Sequence, residues 1–377
     1  MPRIAHFIDT EVIGGAEVMM LDLCSSLKEL GGRDGGFEPV VVHFRHPHLP
    51  RMCEERGLEC VVAPGYQSFK SIRTLPKFAW EFAKFLRAQK IDLLHSHLFG
   101  PITAGSLAAR IARIPNLGTL HDIYIVEEKP LRVRLLQAAA ISGTHLVTIS
   151  EHMRSFYTGR AHFPAAKLHA IPNGVEQRTP RTLSMDQLRE IKLSLGIGAD
   201  ELVVICVARL THLKRHDVLL ESIARLPSDI RVRLLLVGEG PDEAEIRAFA
   251  AQKGLLHRTV FAGLRSDVEE LLYACDIFLL CSDSEGLSRS ILEAMLAGLP
   301  VVVTDVGGNS ELVVEKRTGF LVPRNDPKAT AARVEQLLRD PVLRQRFGAA
   351  ARQRALSQFR HRAMVAAYAE LYSELLH

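Results

Sequence analysis

The 377-residue sequence predicts two α/β domains, each built on a parallel sheet covered by helices. Short runs rich in Val, Ile and Leu alternate with longer amphipathic stretches along the whole chain. Strands buried on both faces appear as continuous apolar runs, and roughly 150 residues per domain favours two domains. Two successive blocks of this kind are typical of doubly wound parallel sheets.

Apolar runs predict the strands of both domains. In the first domain they lie at 3–8, 38–44, 58–63, 92–97, 117–122, 144–150 and 168–173. Stretches such as 16–30 and 103–113 have the periodicity of helices. In the second domain the runs lie at 201–208, 232–238, 259–263, 276–281 and 300–305.

The domain boundary is expected after the segment Ile-Pro-Asn-Gly-Val at 171–175, so that residues 1–175 form one domain and residues 176–359 the other. The polar stretch 176–187 is typical of a linker that leads into a helix. A helical pattern over about 342–377, interrupted near 357–361, ends the chain. We expect its last part, about 360–377, to pack back onto the first domain.

The composition excludes several classes of protein. Basic residues number 47 and acidic residues 43, so the net charge of +4 is too small to indicate a nucleic-acid partner. The six cysteines contain no CxxC pair, which argues against a zinc site and favours a reducing compartment. The first residues do not have the pattern of a signal peptide, and the apolar runs are shorter than the ~20 residues of a membrane helix, so neither feature is expected. We expect a cytoplasmic protein, peripheral at most on the cytoplasmic membrane face.

A turn formed by Gly14, Gly15, Ala16 and Glu17 follows the first predicted strand and begins a helix. Paired glycines let the backbone approach a ligand, and the amides of a helix N-terminus attract anions. The spacing is not the GxGxxG fingerprint of a dinucleotide site. A ligand-binding turn and a purely conformational one are both compatible with these residues.

Two cations, Arg209 and Lys214, follow the predicted strand 201–208. Ligands of parallel sheets bind at the carboxyl ends of the strands, and a guanidinium with an ammonium there suits a diphosphate. The alternative is a solvated basic loop, because Arg215 and His216 come next.

The most informative motif covers residues 282–295 and contains two acids. Glu285 precedes a predicted helix, and Glu293 lies inside it. Amides at the N-terminus of that helix can bind an anion, and a carboxylate such as Glu293 can accept hydrogen bonds from a ribose diol. The alternative is that Glu285 stabilises the helix electrostatically and Glu293 is a surface acid. The amides in question belong to Gly286, Leu287 and Ser288.

Six motifs, in this order, resemble those of the GT4 family of retaining glycosyltransferases. They are GGAE (14–17), HSH (95–97), IPNGV (171–175), ARLxxxK (208–214), LLLVGEGP (234–241), and Glu285-x7-Glu293 within GLSRSILEAMLAGLPVVVTDVGGNSELV. The resemblance runs from Gly14 to about Pro323. It implies a GT-B fold, in which two Rossmann-like doubly wound domains face a cleft. The first domain would bind the acceptor and the second the nucleotide sugar.

The resemblance also implies a reaction. A sugar would move from a nucleotide donor, a UDP-sugar in preference to a GDP-sugar, to a glycan or lipid-linked acceptor with retention of configuration. Neither a metal nor another cofactor is expected, and front-side attack assisted by the leaving phosphate is favoured. The products would serve surface polysaccharide or glycolipid biosynthesis.

Residue roles follow from position in the family motifs. Arg209 and Lys214 would hold the donor diphosphate and Glu293 its ribose. The candidate catalytic residues are His121, which matches a family histidine near the reacting sugar, and Glu285, which would touch the transferred sugar without acting as nucleophile. The other donor-side candidates are Gly15, Gly238, Leu264, Gly286, Leu287 and Ser288, and the acceptor-side candidates are Gly14 and His97.

Some features leave alternatives open. Arg289 departs from the common family pattern and adds a cation near the donor sugar or the acceptor. His95, His97 and His121 could suggest a metal cluster, but hydrogen bonding in the core or cleft is favoured, and no metal site is expected. The alternative functions are a nucleotide-sugar epimerase or another enzyme on this fold, and a non-catalytic nucleotide-sugar-binding protein.

Residues 66–90 combine six basic residues with one acid and five interleaved aromatics. Such a segment suits an anionic membrane surface, which would fit a lipid-linked acceptor. The alternative is a helix that packs its aromatics into the core of the first domain. The interleaved aromatics are Phe69, Phe78, Trp80, Phe82 and Phe85, and Tyr66 begins the segment.

Overall fold

The computed structural model describes residues 1–11, 13–30, 36–124, 126–127, 129–176 and 183–377, and these divide into two units. The first unit comprises Met1–Asn173 and Arg362–His377, and the second comprises Gly174–His361. This division lies close to the predicted boundary at 175. Residues 177–182 of the predicted linker lie outside the described residues, and Ser184 caps the helix that follows.

The first unit contains a parallel sheet with the strand order β3-β2-β1-β4-β5-β6-β7. The strand order runs outward in both directions from β1 and β4, which makes this pair the topological switch point. Each strand overlaps an apolar run that predicted it. The strands are β1 (Arg3–Phe7), β2 (Glu38–His43), β3 (Glu59–Val62), β4 (Leu93–His97), β5 (Asn116–Leu120), β6 (His145–Thr148) and β7 (Leu168–Ala170).

Helices cover this sheet, including one from the end of the chain. The last helix buries Met364, Tyr368 and Tyr372 in a core cluster that also contains Ile4 and Leu93 of the sheet. The helices are α1 (Gly15–Leu30), α2 (Leu49–Glu55), α3 (Tyr66–Phe69), α4 (Leu75–Ala88), α5 (Phe99–Ala112), α6 (Pro130–Ile141), α7 (Glu151–Gly159) and the C-terminal α16 (His361–Leu376). Short 3-10 turns lie at Ile72–Thr74 and Ala165–Lys167.

The second unit contains a parallel sheet with the order β10-β9-β8-β11-β12-β13 and its switch point between β8 and β11. The edge strand β13 is not among the predicted strands, because it begins with glycine and its short apolar run at 320–322 is followed directly by proline. The strands are β8 (Leu202–Val207), β9 (Val232–Val237), β10 (Thr259–Phe261), β11 (Ile277–Leu280), β12 (Val301–Thr304) and β13 (Gly319–Val322). The sequence thus correctly predicts two doubly wound α/β domains.

Two helices of the second unit begin at N-terminal signals that can be read in the sequence. Asp326 and Asp340 each cap a helix that has proline in its first turn. The helices are α8 (Met185–Ser194), α9 (His216–Ala224), α10 (Glu243–Gln252), α11 (Val268–Tyr273), α12 (Arg289–Leu296), α13 (Asn309–Leu312), α14 (Pro327–Arg339) and α15 (Pro341–Gln358), with 3-10 turns at His212–Lys214 and Leu256–Arg258. Among the described residues, none of the helices has the length and apolar character needed to cross a bilayer.

Candidate active site

The switch point of the second sheet brings two of the predicted site residues, Lys214 and Glu285, together. β8 and β11 are neighbours, and the chain leaves their carboxyl ends as segments 208–215 and 281–288. The backbone N–H of Asp283 donates to the carbonyl of Leu213 at 2.8 Å, so the two segments lie side by side. Lys214 and Glu285 therefore meet although 71 positions separate them.

Lys214 and Glu285 form an ion pair at this point. Lys214 Nζ lies 2.6 Å from Glu285 Oε1, and the Ser282 hydroxyl donates to the same oxygen at 2.5 Å. The Glu285 side chain is only 8% exposed, and that of Lys214 20%. A buried carboxylate is tolerated only when it is paired and hydrogen-bonded, and these two contacts supply that. Ser282 is a site residue that the sequence reasoning did not single out.

Arg209 differs from Lys214 in its surroundings. It lies at the carboxyl end of β8 with an exposed side chain. Within the described ranges its guanidinium makes neither an ion pair nor a side-chain hydrogen bond. Of the two cations predicted to act together, one is held by an acid and the other is available to an anion from solution.

The loop before α12 leads into the predicted anion-binding turn. Gly286, Leu287 and Ser288 are buried, and Ser288 is the N-cap residue of α12. Its side chain accepts no hydrogen bond from the helix amides, and its Oγ lies 3.2 Å from Ser290 Oγ. Since the first N–H groups of a helix have no acceptor within the helix, an anionic ligand can accept their hydrogen bonds.

Glu293 lies one turn into α12 and pairs with Arg289. Arg289 Nε donates to Glu293 Oε1 at 2.7 Å, and both side chains are partly exposed. Glu293, the predicted hydrogen-bond acceptor for the ribose, is therefore at the surface of the helix. It is paired with Arg289, the residue that departs from the family pattern.

Two glycines support the Glu285 loop from behind, and sequence reasoning did not predict this role. Gly307 has φ +54°, and a Cβ there would lie 1.7 Å from the carbonyl oxygen of Glu285. A Cβ on Gly308 would lie 2.1 Å from the carbonyl oxygen of Gly286. Only glycine permits such a close backbone approach. The available signal is the Gly-Gly pair shortly after strand 300–305.

Gly238 and Leu264 lie beside the same edge of the sheet. Gly238 follows β9 with φ +133°, and a Cβ there would lie 2.1 Å from the carbonyl oxygen of Ala208. Its N–H donates to Gly263 at 2.8 Å, which places Leu264 on the adjoining segment. Leu264 is 53% exposed and offers an apolar contact at the surface.

In the first unit, the glycine turn lies at the start of α1, as predicted. It does not directly follow the first strand, which differs from the prediction. Residues 8–14 separate β1 from α1. The N–H of Gly14 donates to Glu17 Oε2 at 2.7 Å, and Glu17 is 3% exposed. The Glu17 carboxylate therefore already accepts the hydrogen bond of the Gly14 amide, whereas Gly15 is exposed.

Three fully buried histidines lie at the switch point of the first sheet. His6 Nδ1 is 3.2 Å from His97 Nε2, and this contact adds His6 to the histidines that the sequence suggested. His95 bridges the Tyr372 hydroxyl, at 2.6 Å from Nδ1, and the Thr119 hydroxyl, at 2.7 Å from Nε2. The network ties helix α16 to the sheet of its own unit.

These histidines offer nitrogens within 4.8 Å of one another, a spacing compatible with a metal ligand set. Their hydrogen bonds indicate a different use. Both nitrogens of His95 already have hydroxyl partners, and the facing nitrogens of His6 and His97 are directed at each other. These contacts build a hydrogen-bonded network, in which His6 Nε2 and His97 Nδ1 are buried without a partner among the described residues.

Burial keeps this group of imidazoles neutral. It lowers the pKa of His6 to about 3 and that of His121 to about 4. Burial first, and neighbouring histidines second, lower the pKa values of His95 and His97 well below the usual value. His121 follows β5, with its ring centroid 5.8 Å from that of His97. Its Nε2 is buried and has no hydrogen-bond partner among the residues that the structure describes.

Segment 66–90 divides its aromatics between core and surface. Phe78 and Phe82 are fully buried, and Phe69 and Phe85 pack partly buried against the same cluster. Trp80 is 54% exposed, and Lys84 Nζ lies 3.4 Å from the centre of its ring. Core packing therefore accounts for the phenylalanines and leaves Trp80 on a basic surface.

The two units match known protein families in succession. Residues 13–178 match Glycosyltransferase Family 4, and residues 188–354 match Glycosyl transferases group 1. N-acetyl-alpha-D-glucosaminyl L-malate synthase of Bacillus anthracis is 28% identical over 373 residues, 97% of this chain and 95% of that protein. UDP-Gal:alpha-D-GlcNAc-diphosphoundecaprenol alpha-1,3-galactosyltransferase of Escherichia coli is 27% identical over 271 residues, 69% of this chain and 70% of that protein.

Solved structures with the same fold include HepE of Anabaena, crystallised in complex with UDP and glucose. It matches with a TM-score of 0.86 at 23% identity, over 99% of this chain and 100% of HepE. Two doubly wound domains with these strand orders, together with the family matches, define a glycosyltransferase of the GT-B fold. More specifically, the chain belongs to the GT4 family.

Proposed function

We propose that the protein transfers a sugar from a nucleotide sugar, UDP-linked in preference to GDP-linked, to a glycan or lipid-linked acceptor in surface polysaccharide or glycolipid synthesis. The single observation that carries this proposal is the placement of Arg209 and Lys214 at the switch point of the second sheet. The name of the E. coli relative specifies a UDP-galactose donor and a diphosphoundecaprenol-linked acceptor, and HepE was solved with UDP. These names support the uridine donor and the lipid-linked acceptor.

The two cations suit a departing nucleoside diphosphate. Negative charge grows on the phosphate as the glycosidic bond breaks, so cations fixed there act mainly on the transition state. Arg209, which is exposed, makes the first contact with the diphosphate. Lys214 has three N–H donors and can bind a phosphate oxygen while it retains Glu285.

The two acids contact the two sugars of the donor, one on each side of its diphosphate. Glu293 accepts hydrogen bonds from the ribose, while Arg289 donates a hydrogen bond to Oε1 of the same carboxylate. Glu285 stabilises the oxocarbenium-like sugar from the loop before α12. Because Lys214 and Ser282 both bind Glu285 Oε1, the carboxylate is oriented and its charge partly compensated, which disfavours nucleophilic attack. Retention would then arise by front-side attack with assistance from the leaving phosphate.

The reaction is proposed to need neither a metal nor another cofactor. The acids in the loop after β11 are Asp283 and Glu285. Arg215 lies 3.3 Å from Asp283, and Lys214 lies 2.6 Å from Glu285. Cations of the chain therefore already pair with both carboxylates, and Arg209 is left to oppose the charge of the departing diphosphate in place of a metal.

The first unit is proposed to bind the acceptor. His121 would contact the reacting sugar, with its neutral imidazole as donor or acceptor of a hydrogen bond. His97 has no exposed atom, so its part on the acceptor side would be to support His121. Gly15, exposed at the N-terminus of α1, would approach the donor, and Gly14 would shape the turn.

A lipid-linked acceptor would bring the protein to the cytoplasmic face of a membrane. Trp80 with the neighbouring Lys77 and Lys84 forms an exposed basic and aromatic surface on α4. Aromatic rings with basic side chains bind at the interface of anionic bilayers. This surface is the proposed membrane contact.

A thermal-shift panel of UDP, GDP, ADP and their sugars tests the donor assignment. UDP compounds should raise the melting midpoint of the wild type and of the control Lys328→Ala, an exposed lysine on α14. Arg209→Ala should reduce that shift. A panel in which no nucleotide shifts the midpoint would contradict the proposal. Product analysis then separates the alternatives, because an epimerase needs no acceptor and a binding protein forms no product.

A further inference from the structure

Arg215, the residue after Lys214, has a backbone conformation that is uncommon for residues other than glycine. Its φ is 48° and its ψ 50°, at the junction between the 3-10 turn His212–Lys214 and helix α9. A residue with a side chain is strained in this left-handed region, and such positions persist only where the surroundings hold them. The contacts of the Arg215 side chain identify what holds it.

The Arg215 guanidinium joins three segments of the second unit. Nε and Nη2 donate to the two carboxylate oxygens of Asp217, at 2.9 and 2.8 Å, in the first turn of α9. Nη1 donates to Asp283 Oδ1 at 3.3 Å, in the loop after β11, and also to Asn325 Oδ1, in the loop after β13. A planar fork with five N–H donors makes this set of contacts, which an ammonium cannot reproduce.

These contacts act on the two segments that form the candidate active site. Asp283 lies two positions before Glu285, and its N–H donates to Leu213, two positions before Arg215. The Arg215–Asp283 contact and this backbone hydrogen bond therefore fix the same pair of segments. A change in their spacing would displace Lys214 relative to Glu285.

We propose that Arg215 is a positioning residue for the donor site. Through Asp283 it fixes the loop that carries Glu285 against the turn that carries Lys214. Together with Arg324, whose Nε lies 3.7 Å from Asp283 Oδ1, it also compensates the charge of Asp283. The effect on catalysis rests on the proposed function, whereas the effect on the loop does not.

Three variants separate positioning from simple structural support. Arg215→Gly removes the guanidinium but relieves the left-handed backbone, so the fold should tolerate it. Arg215→Lys keeps the charge and loses the fork. Lys316→Gly is the matched control, because Lys316 is an exposed cation of the same unit with φ 59°.

Amide hydrogen exchange of the ligand-free protein measures how firmly the loop 282–288 is held. In Arg215→Gly the amides of 282–288 should exchange about tenfold faster than in wild type, the change expected for loss of one charge-assisted hydrogen bond. Arg215→Lys should show a smaller increase, and Lys316→Gly none. Unchanged exchange over 282–288 in Arg215→Gly would overturn the proposal, whatever reaction the enzyme catalyses.

Donor kinetics and a double-mutant cycle test the consequence for the site. Arg215→Gly should lower kcat/KM for the donor by about tenfold to a hundredfold, with a melting midpoint like that of Lys316→Gly. Asp283→Asn should also lower kcat/KM, and the double variant should lose less than the product of the two single effects, because both variants remove the Arg215–Asp283 contact. Effects that multiply would contradict action through Asp283. A wild type that binds no nucleotide would instead refute the proposed function, and the exchange result would still decide the role of Arg215.

Discussion

Lys214 Nζ lies 2.6 Å from Oε1 of Glu285, so a cation assigned to the donor diphosphate and an acid assigned to the donor sugar are direct partners. They come from the ends of the adjacent strands β8 and β11. Any ligand that draws Lys214 away must also act on Glu285. Phosphate binding and the orientation of the carboxylate are therefore coupled in the proposed mechanism.

Replacing Lys214 with methionine should separate the two effects of this ion pair. Turnover should fall at least about 100-fold, because a cation that stabilises the leaving group is lost. Stability should fall by about 1–3 kcal/mol, because Glu285 stays buried with its main partner removed. Adding Glu285→Gln should restore stability without restoring turnover. Denaturant unfolding and a transfer assay measure both, and unchanged turnover in Lys214→Met would contradict the assignment.

Gly307→Ala should destabilise the second unit and impair the donor site. The new Cβ would lie 1.7 Å from the carbonyl oxygen of Glu285, so the loop must move. Gly298→Ala is the control, because Gly298 also has a positive φ, +84°, but a Cβ added there would meet no atom within 4 Å. It should cost only about 1–2 kcal/mol, the penalty of the left-handed backbone. Equal loss of stability in both variants would show that the contact with Glu285 has no effect.

Stability should fall as the pH is lowered from 7 toward 4. Burial lowers the pKa of His6 to about 3 and of His121 to about 4 in the folded state, whereas unfolded histidine titrates near its ordinary value of 6.5. Below pH 6.5 the unfolded chain therefore binds protons that the folded chain does not. Each such histidine contributes at most about 1.4 kcal/mol per pH unit. His6→Leu should flatten the pH dependence of the melting midpoint, measured by thermal unfolding between pH 7 and 4.

Tyr372→Phe should weaken the attachment of α16. The hydroxyl that hydrogen-bonds His95 Nδ1 at 2.6 Å is buried, so its removal leaves an unsatisfied nitrogen and costs about 1–2 kcal/mol. Tyr273→Phe removes a partly exposed hydroxyl 3.5 Å from Glu269 and should have little effect. Urea unfolding of both variants measures the difference. Similar values for the two would argue against the buried network as a source of stability.

Charge reversal on α4 tests the membrane surface. Lys77→Glu, Lys84→Glu and Arg87→Glu together should lower binding to anionic vesicles, because each reversal turns attraction into repulsion. The control carries the same charge change on the exposed Arg231, Lys328 and Arg346 of the second unit. Vesicle sedimentation measures binding. The surface assignment fails if the α4 variant binds as well as wild type, or if the control loses as much.

Much of the architecture follows from short-range sequence patterns. Apolar runs predicted the strands because a strand buried on both faces needs continuous apolar residues, as in β8 and β12. The exception, β13, has its apolar residues enclosed between a glycine and a proline, a pattern that is also typical of a loop. The motifs around Arg209, Glu285 and Glu293 were recognisable because each lies in one local segment.

The contacts within the sites depend on residues far apart in the chain. No local pattern indicates that Lys214 binds Glu285, that Gly307 supports the Glu285 carbonyl, or that Arg215 reaches Asp283. The sequence by itself determined two doubly wound domains and the segments that end at their switch points, because periodicity and turn residues act locally. Only the tertiary structure decided which of those side chains are partners, because adjacent parallel strands are joined through long crossovers and their loops meet only when the sheet is complete.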